Sequence, residues 1–302
     1  MFLNENQNGG LLILAGMLIL AIVDNYVRFI ASNIGLWQFH FIRSIIAMLL
    51  MIIFAALFRQ SLKPKKFWLV ILRTLILVLA MFVYFGSLAF FPISQVAAGL
   101  FTSPIFVVIF SFFLFKEPIN IYRTLAIIVG SFGVILVLEL NLREVSVYNG
   151  ITILAGLFYA LASITLKRWC STEEASSIML MFFFAMGFIA LLMIVLLELN
   201  DLYGIYSPPQ TFLTSTLKLP SVETVGLICF HAIGSIIGGL LITVGYQRGE
   251  TSFVSIFEYS FLFFVTLWAY LAFSEQISGS VFSGMLLILF SGVLISLSNR
   301  NT

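Results

Sequence analysis

The chain has 302 residues, of which 61% are hydrophobic, 16% aromatic and 9% charged, with a mean hydropathy of +1.13 and a formal net charge of +2. That is more apolar surface than one soluble core can bury, so most of it must face lipid and the chain reads as a polytopic membrane protein. The near-balanced, scattered charge excludes a nucleic-acid surface. Cys170 and Cys229 stand alone without a metal-ligand spacing, and no cofactor motif is present.

Windows of about 20 apolar residues, the length that crosses about 30 Å of hydrocarbon, fall at 10–29, 36–58, 67–89, 95–115, 122–141, 149–168, 176–197, 223–246, 252–273 and 279–298. This predicts an all-α fold of ten transmembrane helices. The first run ends in Asp24, Asn25 and Arg28 with no small-residue cleavage site, which reads as a retained helix and not a signal peptide. Breaks carry Pro, Gly, Asn and charge, as at Lys63-Pro64-Lys65-Lys66, Phe91-Pro92, Glu117-Pro118 and Ser278-Gly279. With the N-terminus inside, the inner segments hold Arg59, Lys63, Lys65, Lys66, Lys116, Arg123, Lys167, Arg168, Arg248 and Arg300, against Arg28, Arg143 and Lys218 outside. The positive-inside bias therefore predicts cytoplasmic N- and C-termini, in a bacterial inner membrane.

The two ends of the chain repeat one another. Gly10 to Gly16 and Gly150 to Gly156 match at Gly, Ile, Leu, Ala and Gly, and the same offset pairs Arg28 with Arg168. Phe115-Lys116-Glu117 likewise pairs with Phe273-Ser274-Glu275, and Gly133-Val134 with Gly292-Val293. Two units of five spans, 1–145 and 146–302, follow. Because five is odd the second enters the membrane from the opposite side. Inverted repeats of this kind characterise secondary transporters, whose halves alternate around a central site.

Several residues carry a family resemblance: Phe41-Ile42-Arg43 with Ala47, Pro104, Glu117, Gly130 and Gly133 in the first half, and Glu275 and Gly292 in the second. On these the chain resembles the drug/metabolite transporter superfamily in its ten-helix EamA-type branch. Pro104 is replaced by Leu262 in the second half and Arg43 has no counterpart, so the later copy is degenerate. Around Asp24-Asn25 and Leu72-Arg73-Thr74 it also resembles bacterial S-adenosylmethionine uptake carriers. The resemblance implies a substrate cavity between the halves, lined by spans one, three, four, six, eight and nine.

Ionisable residues inside hydrocarbon are costly and read as functional candidates. Glu258, flanked by Phe257, Tyr259 and Ser260, is expected to meet a cationic substrate or carry a coupling proton; an ion pair with Arg73 is the structural alternative. Tyr84, Tyr246, Gln247, Tyr259 and Trp268 supply aromatic and hydrogen-bonding surface suited to a cationic or zwitterionic solute, and Ser103 flanks Pro104. Asp24 and Arg28, one turn apart, have the spacing of a pair along one helix face, as a gate or a substrate contact. Arg73 and His231 occupy corresponding places in spans three and eight, as gate, anion ligand or packing residues, and His40 is a weaker titratable candidate. Arg43, Pro104, Glu117 and Glu275 are assigned to the scaffold, with a coupling role as the alternative for Glu117 and Glu275.

No P-loop, HExxH or paired Asp-rich motif is present, so an enzyme or a nucleotide-driven pump is not expected. The expected function is secondary transport of a small polar organic metabolite, such as an amino acid or S-adenosylmethionine, by a monomer or weak dimer in the lipid bilayer. Proton coupling and substrate exchange both stay open, and a lipid carrier or channel is the alternative.

Overall fold

The computed structural model describes residues 4–88, 90, 91, 93–116, 121–140, 150–199, 212–215 and 217–298. Thirteen helices run in order: α1 (Glu5–Asp24), α2 (Val27–Ala31), α3 (Leu36–Phe58), α4 (Phe67–Ser87), α5 (Ile93–Leu100), α6 (Ser103–Phe115), α7 (Ile121–Val137), α8 (Gly150–Cys170), α9 (Ala175–Leu199), α10 (Val222–Arg248), α11 (Thr251–Val254), α12 (Ser260–Phe273) and α13 (Gly279–Ser298). Among the described residues they make nine segments long and apolar enough to cross a membrane, plus the shorter apolar α7. The described chain is thus a multi-pass membrane protein.

Three spans expected to be continuous are broken. Span one divides at Asn25–Tyr26 into α1 and α2, and span four divides at Phe101–Thr102 into α5 and α6. Pro104 explains the second break. It occupies the first turn of α6, where its missing N–H costs nothing, and its ring cannot follow an unbroken α5. Span nine breaks too, through a 3₁₀ turn over Ser255–Tyr259 between α11 and α12, although Leu262 stands where Pro104 does. Fixed φ is therefore not what breaks the second copy. Every residue from Thr251 to Ser260 is buried, so tertiary packing replaces the proline as the cause.

The packing has an exchange symmetry. α1 lies along α10 and α4 along α8; α3 pairs with α9 and α7 with α13; α5 and α6 lie on α8 as α12 lies on α1. Shifting every span by five converts this set of pairings into itself. Backbone detail obeys the same shift: α6 ends on Lys116 and α12 on Ser274, both in the left-handed region at φ 55°. The most extensive contacts all run between the first five spans and the last five.

Small residues permit these close pairings, as expected where lipid supplies no hydrophobic drive between helices. A Cβ on Gly16 would lie 2.8 Å from Ile242 Cγ1 and 2.9 Å from the Gly238 carbonyl oxygen. One on Gly9 would lie 2.9 Å from the Gly245 carbonyl, and one on Gly133 2.9 Å from that of Gly284. The outer surfaces carry exposed Leu, Phe and Trp such as Leu57, Trp68, Phe113 and Leu199, which suit lipid.

On the membrane face that holds the N-terminus, polar groups tie the loops together. The buried Glu173 carboxylate accepts from the backbone N–H groups of Lys65 (2.6 Å) and Lys66 (2.7 Å) at the start of α4. Lys167 Nζ donates to the carbonyls of Gln247 (2.8 Å) and Arg248 (3.0 Å).

Gly238→Leu should lower stability by about 1–3 kcal/mol through overpacking against α1. Gly292→Ala, where an added Cβ meets nothing within 4 Å, should be neutral or slightly stabilising. Thermal unfolding of the purified variants in detergent checks both; equal effects would overturn the close-packing account.

Candidate functional site

The break in span nine sets the first cluster. The 3₁₀ turn carries Glu258 about 10 Å in from the start of α11, at 1.5 Å or slightly more per residue. Its side chain, only 3% exposed, faces a set of hydroxyls. Tyr246 Oη on α10 donates to Glu258 Oε1 at 2.9 Å, and Tyr159 Oη on α8 donates to the same oxygen at 3.0 Å. The Ser103 hydroxyl at the start of α6 also bonds the carboxyl, and Ser163 bonds Tyr246. Four spans therefore meet at one carboxyl group. Among the described residues no Arg, Lys or His lies within ion-pair distance of it.

Glu258, Tyr246 and Ser103 thus sit together as candidates. Tyr159 joins them without having been singled out in the sequence. The available signal was a phenol ten residues into an otherwise apolar span, where its O–H needs a partner. Arg73, the alternative ion-pair partner, does not reach Glu258. Its Nε donates to the Ala162 carbonyl at 3.4 Å and its buried Nη1 has no partner. Tyr259 turns the other way from Glu258: its ring lies over Gly130, leaving no room for a larger residue there, and its Oη is 3.0 Å from Ser131 Oγ. Gln247 donates to the carbonyls of Cys170 (2.7 Å) and Glu173 (2.9 Å), binding the end of α8. Trp268 has a buried Nε1 without a partner, and Tyr84 packs edge-on against Phe85.

A second cluster lies in the opposite half of the membrane thickness. Asp24 closes α1, and its Oδ1 is 3.0 Å from His231 Nε2 on α10; His231 Nδ1 is 3.0 Å from Ser235 Oγ one turn along. The Asp24 side chain is 40% exposed while that of His231 is 3% exposed. His40 and Arg43 of α3 and Tyr84 of α4 surround this pair electrostatically. By the five-span shift, the α1–α10 contact made by Asp24 and His231 corresponds to the α8–α4 contact made by Ala162 and Arg73. One copy uses two side chains and the other a side chain and a carbonyl.

Asp24 and Arg28 do not pair, contrary to their spacing. The helix ends at Asp24, which breaks the one-turn register, and Arg28 instead reaches across to an ion pair with Glu275 beyond α12. Arg28 also lies 4.4 Å from the Phe273 ring centroid and donates to the Asn25 carbonyl at 3.0 Å. Glu275 therefore links the ends of span one and span nine on one face, and Ser278 Oγ donates to the Glu139 carboxylate. Glu117 lies outside the described residues. On the N-terminal face a second ion pair joins the buried Arg123 of α7 to Glu250, with Arg123 Nη1 also 2.7 Å from Ser252 Oγ.

These two pairs should differ in strength. Glu275→Ala, breaking a half-exposed pair, should cost under about 1 kcal/mol. Glu250→Ala, which strips the carboxylate from a buried guanidinium, should cost roughly 3 kcal/mol or more. Thermal unfolding of each variant measures the contrast, and equal costs would contradict the burial argument.

Residues 7–139 match the EamA-like transporter family. An uncharacterised transporter of Helicobacter pylori is 25% identical over 95% of this chain and 93% of its own. The riboflavin transporter of Vibrio cholerae is 24% identical over 79% of this chain and 74% of its own, and the pseudopaline exporter of Pseudomonas aeruginosa is 22% identical over 99% and 100%. A solved crystal structure at 15% identity superposes with a TM-score of 0.79 over 98% of this chain and 99% of that one, which shows the shared fold. The first half of the chain is therefore similar to the EamA-like transporter family, and nearly the whole length is similar to membrane transporters.

Proposed function

We propose that the chain is a secondary carrier that moves a small polar organic solute bearing a cationic group, by alternating access around Glu258. The observation that carries this reading is a carboxyl group inside a broken membrane span, held by hydroxyls from three other spans and, among the described residues, by no cationic side chain. Hydroxyl donors stabilise a carboxylate without neutralising it. Its charge is then available to an incoming ammonium, sulfonium or proton, while Tyr159 and Tyr246 offer aromatic faces to the same cation. A purely structural carboxylate at this depth would be expected to have a basic partner.

In this reading residues 1–145 and 146–302 are the two repeats, both termini are cytoplasmic in an inner membrane, and the solute is a metabolite of the cationic or zwitterionic kind. The similarity to exporters as well as to a riboflavin transporter leaves direction to experiment. Because the extensive helix pairings cross between the repeats, the moving bodies are bundles that combine spans from both. Arg28–Glu275 and Arg123–Glu250 lie on opposite faces and are placed to break and form as those bundles rock. A channel would offer a continuous polar path, whereas here the Glu258 and Asp24 clusters are separate groups at different depths, both touching α10.

The first experiment is a thermal-shift screen of amino acids, polyamines, nucleosides and S-adenosylmethionine on purified protein, where binding to the folded state raises Tm. Stabilisation by organic cations or zwitterions is expected; stabilisation by organic anions alone would overturn Glu258 as the recognition group. With the hit as substrate, Glu258→Gln should reduce counterflow in proteoliposomes by about tenfold or more, the equivalent of about 1.4 kcal/mol, with the protein still folded.

Proton and cation would compete for one carboxylate. Acidifying the loading side should therefore slow wild-type transport, and the glutamine variant should lose that dependence. Unchanged transport in the variant, or unsaturable conductance in the wild type, refutes the proposal.

A further inference from the structure

One face of α3 presents His40, Arg43, Ser44 and Ala47 at the spacing of a single helical stripe, and all four are buried. Its polar atoms are unused. Both ring nitrogens of His40, Arg43 Nε and Ser44 Oγ have no hydrogen-bond partner. His40 is 1% exposed and Arg43 9%. The neighbours supplied to Arg43 are aromatic: its guanidinium carbon stands 5.4 Å from the Phe39 ring centroid and 5.9 Å from that of Phe183. Among the described residues no carboxylate comes within ion-pair reach of it. The nearby Asp24 is felt by Arg43 through space but is bonded to His231.

A scaffold arginine in hydrocarbon would be expected to cap helix carbonyls or hold a carboxylate. This one does neither, and an imidazole and a hydroxyl on the same stripe are equally unsatisfied. Lipid cannot supply the missing partners. We infer that His40, Arg43 and Ser44 form an anion-accepting subsite, separate from Glu258, that takes the carboxylate group of a small solute. Arg43 offers a planar pair of N–H groups that matches two carboxylate oxygens. His40 and Ser44 add donors beside it. The field of Asp24 at the same spot disfavours a phosphate dianion relative to a singly charged carboxylate.

The inference adds a second recognition group to the carrier reading, but its test reads binding and not transport, so either can fail alone. Tm of the full-length protein is measured against acetate, glycine betaine, choline, inorganic phosphate and chloride at matched ionic strength. Glycine betaine and choline share a quaternary ammonium and differ in the carboxylate. Acetate and glycine betaine should raise Tm in a saturable way through Arg43. Acetate stabilisation should vanish in Arg43→Gln and survive in Glu258→Gln.

Should Arg43→Gln fail to fold, Arg43→Lys keeps the charge but not the fork, and the apparent dissociation constant for acetate should rise about tenfold. His40→Gln should weaken acetate binding less. No stabilisation by acetate, an unchanged response in the Arg43 variants, or a larger shift with phosphate than with acetate would each overturn the assignment.

Discussion

Backbone N–H and C=O groups that face hydrocarbon cannot be satisfied, so a span may leave α-helical geometry only where protein surrounds it. The 3₁₀ turn Ser255–Tyr259 obeys this: from Thr251 to Ser260 no residue reaches the surface. α1, α6, α8, α10 and α13 all close around the stretch. The same enclosure makes the turn the place where a carboxyl group can sit deep in the membrane. The broken span brings it to hydroxyls on three neighbouring spans at once.

The polar residues within the spans divide into two clusters at different depths. Glu258 is surrounded by neutral donors, and Asp24 is joined to a titratable imidazole. α1–α10 and α8–α4 are equivalent contacts, filled by Asp24 with His231 in one and by Ala162 with Arg73 in the other. Scaffold features repeat across the shift, as the left-handed ends at Lys116 and Ser274 show, whereas the chemistry does not.

The spans were legible because length and hydropathy leave few other choices, and Glu258 stood out because a lone carboxylate in an apolar run is costly. The breaks were not. Pro104 marks one, but the break at Asn25–Tyr26 has no proline, and the turn at Ser255–Tyr259 sits in wholly buried packing that local sequence does not encode. The same holds for pairs: spacing put Asp24 beside Arg28, yet their partners are His231 and Glu275, over 200 residues away. Tyr159 was lost among apolar neighbours, and Tyr246 and Gln247, adjacent in sequence, point to different tasks.

The interleaving of the halves has a consequence for biogenesis. α1 is complete at Asp24, while its long partner α10 ends at Arg248, about 220 residues later. At roughly 5–20 residues per second of synthesis, α1 must wait about 10–40 s in the bilayer for that partner. The stripe bearing His40 and Arg43 on α3 likewise waits for α9. During that interval buried polar groups and glycine-lined faces are open to lipid and to other nascent helices. The chain therefore depends on whatever insertion machinery holds the early spans, and variants that slow the arrival of the later ones would be cleared by quality control even where the finished protein would be stable.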